Sequence, residues 1–418
     1  MLFRSEGKFD FSTVDWLVAD ARAHGMRLGL LWFGAWKNSM SSYVPAWVKR
    51  DAKRFPRVPD DKGQAQEILS AFDANTLRSD TRAFTALMRH LKEIDGDRHT
   101  VILVQVENEI GMLPTAREHG PVADKMWAAQ GWPSEEAFQA AAYARYVEKV
   151  ASAGKAVYPL PMYVNGAQAR PGKKPGEYPS GGPLPHLFGV WDGAPSVFRA
   201  PDIYFPNFAE IAASYVWHTK PPLFIPEANH AGDPRAPANL FATIGGLGGI
   251  GFSPFSIENI GGEQQKRITA AYGLIDSMAP QIAAAQAEGK ITGFAPRVSF
   301  DNKVDDTPQQ YTLGNYRFTV SFVDPWTPRD QQRTDEHGGM ILQTGPDEFL
   351  VAGTGITVTV ATGGTQRAGL ELVEEGSFVD GRWVAGRRLN GDQTHQGRHV
   401  RLPPDALGIQ RVRLYRYP

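Results

Sequence analysis

The sequence predicts an α/β protein: a (β/α)8 TIM barrel over residues 1–288, followed by an antiparallel β-sandwich over residues 289–418. Two observations carry this. Up to about residue 288, short apolar runs alternate with amphipathic stretches, the rhythm of parallel βα units. Beyond about 290 the apolar residues recur at every second position in Tyr316–Phe322, Ile356–Val360 and Gln410–Tyr415, and Gly339–Gln343 reads as a further strand. Asp380-Gly381 and Asn390-Gly391 supply hairpin turns in this second part.

Along the first part, Val14, Leu17, Val18 and Ala21 form an apolar stripe at helical spacing, with Ser12 as the expected cap and Gly25 as the stop. Residues 27–33 then read as a strand ending in aromatics. A helix over 80–94 follows, and residues 100–106 form a continuous apolar run typical of a strand buried on both faces. Residues 135–154 read as helix, 160–164 as a strand entering Asn165-Gly166, and 202–205 as a strand. Residues 222–226 and 249–253 read as the last two strands, with helices near 237–244 and over 262–286. The Gly-, Pro- and Lys-rich stretch 167–186 is a surface loop.

Composition narrows the function. With 44 basic and 45 acidic residues, the net charge of −1 lacks the basic footprint that nucleic acids or anionic membranes require. No apolar run reaches the ~18–20 residues that span a bilayer. With no Cys, disulfides, thiolate metal sites and cysteine nucleophiles are excluded. The ten His are scattered and none pairs as His-x-His after a strand, so no metal or other cofactor is implied. Gly245–Gly249 precedes a strand instead of joining a strand to a helix, which rejects a dinucleotide fingerprint.

A parallel barrel does its chemistry at the C-terminal ends of its strands. Two strands here run into a carboxylate at that end: Val104-Gln-Val-Glu-Asn-Glu-Ile-Gly111, which presents Glu109, and Phe224-Ile-Pro-Glu-Ala-Asn-His230, which presents Glu227. Such a pair suits hydrolysis of a glycosidic bond. One group protonates the departing oxygen while the other meets the developing oxocarbenium charge.

The segment Ile102–Gly111 resembles the acid/base motif of glycoside hydrolase family 35, the β-galactosidases of the clan A barrels. The resemblance implies a retaining mechanism with Glu109 as proton donor, Asn108 on the sugar 2-hydroxyl and Glu227 as nucleophile. The β-rich tail is similar to the extra domain of a bacterial subgroup of these enzymes. Family members carry Ala-Glu-Trp after strand three, whereas this chain has Trp32-Phe-Gly-Ala-Trp-Lys-Asn38. A retaining β-glycosidase is therefore implied more firmly than galactose as its sugar. The expected partner is an oligosaccharide or other β-glycoside. The competing class is an inactive sugar-binding or scaffold barrel.

Around this pair, Trp32 and Trp36 are placed either to stack on a sugar ring or to pack the core, and Glu107 is either a substrate ligand or an acid of the barrel interior. Asn165 and Tyr204 are placed to bind hydroxyls or orient the nucleophile, and Trp191 and His230 to line the pocket.

If Asn108-Glu109 closes strand four, only one strand precedes it. A barrel lacking two strands would leave open edges. The expectation is a start that is truncated or misassigned, with any secretion signal upstream; as written, the chain has none and would be cytoplasmic. The upstream reading frame should encode two further βα units, and an intact mass of the native protein matching these 418 residues would contradict this.

Overall fold

The computed structural model describes every residue except 1, 130, 219–221 and 405. Its contacts divide the chain into two compact units, Met1–Asp202 and Ile203–Pro418.

The first unit opens with a hairpin, β1 (Leu2–Ser5) and β2 (Lys8–Asp10), and helix α1 (Ser12–Ala23). Ser12 begins this helix but does not cap it: its hydroxyl donates to Asp10, and the cap position falls on Phe11. Gly25 terminates it with φ of +67°, a left-handed value that glycine takes without a Cβ clash. Strand β3 (Leu28–Lys37) follows, then α2 (Ala46–Lys49), the pair β4 (Arg57–Pro59) and β5 (Ala65–Leu69), and helix α3 (Ala74–Asp95). Asp73 caps α3 by accepting from the Thr76 N–H at 2.7 Å. Strand β6 (Val101–Asn108), helices α4 (Pro121–Ala129) and α5 (Glu135–Val157), strand β7 (Met162–Ala167), the short α6 (Phe188–Trp191) and strand β8 (Phe198–Ile203) complete the unit. Strands β3, β6, β7 and β8 pair in that order, all parallel.

The sheet's core is formed by Val104, Val106, Val164 and the inward stripes of α3 and α5, including Phe84, Met88, Leu91, Tyr143, Val147 and Val150. Strand β3 pairs with β6 on one edge and has no strand on the other among the described residues. Leu31 on it is 45% exposed, and an apolar cleft of about 300 Å³ lined by Trp32, Phe33, Tyr43, Trp47 and Phe55 lies beside it.

The second unit contains α7 (Phe208–His218), strand β9 (Phe224–Ala228), α8 (Ala236–Phe241) continued by one π turn, and strand β10 (Gly251–Pro254), parallel to β9. The single helix expected over 262–286 is two: α9 (Gly262–Ser277) and α10 (Ala279–Ala287). Pro280 lies in the first turn of α10, where its missing N–H breaks no helical bond but where it cannot continue α9.

From β11 (Ile291–Phe294) onward every pairing is antiparallel. The strands are β12 (Arg297–Val298), β13 (Val304–Asp305), β14 (Gln309–Leu313), β15 (Tyr316–Ser321), β16 (Gly338–Gln343), β17 (Glu348–Thr354), β18 (Ile356–Thr362), β19 (Arg367–Val379), β20 (Arg382–Arg388), β21 (Val400–Leu402) and β22 (Gly408–Tyr417). They form a six-stranded sheet, β11-β16-β17-β22-β19-β20, and a four-stranded one, β14-β15-β18-β21. Alternate residues of both, such as Phe318, Val320 and Val358 on one and Phe349, Val351 and Val412 on the other, make one buried cluster. Phe318 and Phe349 meet edge to face at 4.9 Å.

Six parallel strands are thus described, four in the first unit and two in the second, against the eight of a complete barrel.

The contact between α3 and α5 yields a stability test. A Cβ added at Gly154 would meet Phe84 Cε1 at 2.4 Å and Met88 Cγ at 3.1 Å. Both side chains are fully buried and have nowhere to yield. The gain in helix propensity of about 1 kcal/mol is then outweighed by overpacking of about 1–3 kcal/mol. Gly154→Ala should lower the urea midpoint, and a midpoint at or above that of the parent chain would show that the helices can separate.

Candidate active site

Strand β6 carries its chemistry in its last turn of chain. Glu107 and Glu109 both adopt left-handed backbone, with φ of +64° and +45°. Each costs about 1–2 kcal/mol for a residue with a Cβ, so neighbouring bonds must hold the turn. The Glu109 N–H donates to Asn165 Oδ1 at 2.9 Å, from the end of β7. Its carbonyl accepts from the Ser39 hydroxyl, and the Asn38 N–H donates to the Asn108 carbonyl at 3.1 Å, both from the end of β3. Asn38 and Ser39 are themselves left-handed, each with φ of +56°.

Glu109 is 8% exposed, and its carboxylate accepts through Oε2 from the Asn38 side-chain amide. Asn165 is buried and donates through Nδ2 to Asp202 at the end of β8. Asn108 is fully buried, and neither atom of its side-chain amide has a partner among the described residues.

Beneath this turn lies a pair of buried carboxyls. Glu107 accepts from the Trp36 N–H at 3.0 Å and meets Asp80 of α3. Asp80 accepts from Trp32 Nε1 at 2.9 Å and from the Tyr146 hydroxyl at 2.8 Å. Burial drives the Asp80 carboxyl above its ordinary value, with hydrogen bonds from Glu107, Tyr146 and Trp32 pulling the other way. Burial, followed by the charge of Asp80, pushes Glu107 well above the usual carboxylate range. Both carboxyls are thus pushed toward their protonated forms, Glu107 the more strongly, as expected when two share a dry site. Both oxygens approach Gly34 so closely that any Cβ there would lie 2.5 Å from Glu107 Oε1 and 2.6 Å from Asp80 Oδ1.

Trp36 is fully buried and packs edge-on against Tyr143 and Tyr146. Trp32, 7% exposed, packs on Phe84. Trp191 is fully buried, with its indole N–H on the Gly181 carbonyl at 3.1 Å. These three indoles and Glu107 are thus inside the first unit. Asn38, Ser39, Asp80 and Asp202 were not singled out by the sequence reading. Only Asn38-Ser39 carried a local signal, as residues that tolerate a left-handed turn.

In the second unit, Glu227 lies near the C-terminal end of β9 and accepts through Oε2 from the Tyr204 hydroxyl at 2.7 Å. Tyr204 follows β8 instead of lying within a strand, and is 37% exposed. Its ring meets Phe255 edge to face at 6.0 Å, and Phe255 makes the same contact with the exposed His230. The Asn229 N–H donates to the Ile203 carbonyl at 2.8 Å, anchoring the segment just past Glu227.

Comparisons with known proteins bear on the fold. Residues 268–401 match a family model described as a domain of unknown function, DUF5597. No curated protein matches. Among solved structures, a β-galactosidase from Bacillus circulans sp. alkalophilus is similar at 12% identity and a TM-score of 0.50, over 68% of this chain and 51% of that one. A β-galactosidase from Rahnella sp. R3 follows at 14% identity and 0.47, over 71% and 51%. Endo-glycoceramidase II from Rhodococcus sp. matches at 13% identity and 0.37, over 98% and 86%. This chain thus spans about half the length of the two β-galactosidases. At such identities the likeness to the first concerns the fold.

The Glu107–Asp80 pair makes a pH-dependent prediction. A carboxyl whose pKa is raised by folding stabilises the protein fully below its unfolded value, here 4.5 for Glu, and loses that contribution as pH rises toward the folded value. Glu107→Gln keeps the size of the side chain and removes the titrating carboxyl. The stability of the variant relative to the parent should therefore rise from pH 5 to pH 8 in urea unfolding. A difference that is flat, or that moves the other way, would show that Glu107 is ionised in the folded protein.

Proposed function

We propose that this chain is a retaining glycoside hydrolase acting on β-glycosides, a β-galactosidase-like exo-enzyme with Glu227 as nucleophile and Glu109 as acid/base. One observation carries the reading. Each of the two carboxylates stands at the C-terminal end of a parallel strand, where such sheets present their chemistry, and each is held by a neutral hydrogen-bond donor: Tyr204 on Glu227 and Asn38 on Glu109.

With Oε2 of Glu227 engaged by Tyr204, Oε1 is the atom left to attack the anomeric carbon. Glu109, its Oε2 accepting from the Asn38 amide, supplies the transferable proton. Attack forms a glycosyl ester on Glu227 as the Glu109 proton passes to the departing oxygen. Water, losing its proton to Glu109, then releases the sugar with its configuration retained. The retaining route calls for carboxyls ~5–5.5 Å apart. Asn108, whose buried amide has no partner among the described residues, fits the role of binding the 2-hydroxyl. Asn165 acts as a positioning residue through the Glu109 N–H. No helix among the described residues is long and apolar enough to cross a membrane.

A panel of nitrophenyl β-galactoside, β-xyloside, β-glucoside and α-arabinoside tests this reading and names the sugar. Glu227→Ala should reduce kcat on the favoured substrate by at least ~10³-fold. Glu109→Ala should reduce turnover of disaccharides by ~10²–10⁴-fold, and should slow the first step less for nitrophenyl glycosides, whose leaving group needs no proton. Activity of Glu227→Ala equal to that of the parent chain would end the assignment of Glu227, and no turnover of any glycoside by the parent chain would leave sugar binding alone.

A further inference from the structure

Two residues beyond Glu227 the second unit forms a polar groove that the chemistry above does not use. It is an open cleft of about 520 Å³ lined chiefly by Asn229, His230, Asp233, Arg235, Asn302 and Asp335. Its centre is rigid. Arg235 donates to Asp233 from its backbone N–H at 2.9 Å, from Nε at 3.1 Å and from Nη2 at 2.9 Å, and the Asn229 amide donates to the same carboxylate. Burial of Asp233 raises its carboxyl, but the bonds and charge of Arg235 outweigh this and hold it below the ordinary value, so the pair is ionised. The remaining guanidinium nitrogen, Nη1, lies 3.4 Å from Asn302 Oδ1. Asn302 sits exposed at a turn with φ of +62°.

We propose that this groove is a subsite for a neutral sugar unit of an oligosaccharide, the unit next to the one that Glu227 attacks. The inference rests on Glu227 being the nucleophile. Three features carry it. The groove is joined to that carboxylate by ring contacts of His230 with Phe255 and of Phe255 with Tyr204, whose hydroxyl donates to Glu227. Its polar groups are planar amides and a fixed guanidinium, which pair with the vicinal hydroxyls of a sugar, while Val304, 41% exposed, offers an apolar contact to the C–H face. Its charge excludes an acidic ligand, because Asp233 cancels Arg235 and Asp335 remains.

The test compares the parent chain with Asn302→Gly and Arg235→Lys. Glycine keeps the left-handed turn while removing the amide, so the first variant is fold-safe where the second loosens the bonds to Asp233. Each is assayed on the nitrophenyl glycoside the panel selects and on the β-linked di- and trisaccharides of the same sugar. In both variants kcat/KM for the oligosaccharides, divided by that for the nitrophenyl glycoside, should fall by about 10-fold. An unchanged ratio in both, with Glu227→Ala inactive, overturns the subsite and spares the nucleophile. No turnover of any glycoside by the parent chain, or full activity of Glu227→Ala, overturns the nucleophile and the subsite together.

Discussion

The turn that presents Glu109 stands on the buried carboxyl pair Glu107 and Asp80. Two ionised carboxyls in a dry site would repel, and leaving either unpaired there costs several kcal/mol. Retaining one proton removes one charge. Asp80 is held by the Trp32 indole and the Tyr146 hydroxyl, with Glu107 beside it. Because these groups come from β3, α5 and β6 around α3, the pair joins four elements at one point. Above it, β6 leaves extended geometry and turns left-handed at Glu107 and again at Glu109.

That turn is also why the neighbouring strands end as they do. Asn38-Ser39 and Asn165 supply the side-chain bonds that a regular ladder would have made, and they hold the strained backbone at Glu109, a residue 8% exposed. Strain of this kind is commonly concentrated where a side chain must be aimed. In the second unit no such turn is needed. Glu227 sits within β9 and is oriented from outside by the Tyr204 hydroxyl.

Much of the architecture was legible because period and composition report burial directly. The apolar run Val101–Val106 is typical of a strand covered on both faces, which holds except at the exposed Ile102, and the alternation in Tyr316–Ser321 is that of a strand with one face inward. Where the reading slipped, competing local bonds decided. Ser12 gave its hydroxyl to Asp10, and Pro280 split what its apolar spacing suggested was one helix. The aromatic residues after β3 could not be assigned from sequence, since an indole that stacks on a sugar and one that fills a core look alike. The structure buries Trp36 completely.

By itself the sequence determined the strand-helix rhythm, the change to antiparallel pairing near residue 290, and the two strand-end carboxylates, all of which follow from local spacing. Only the tertiary structure decided which groups hold those carboxylates. Asn38 lies 71 residues from Glu109, and Tyr204 lies 23 from Glu227. It also decided that Glu107 stands buried beside Asp80 with its carboxyl pushed well upward, because a carboxyl's state depends on its burial and on charges that the fold brings beside it.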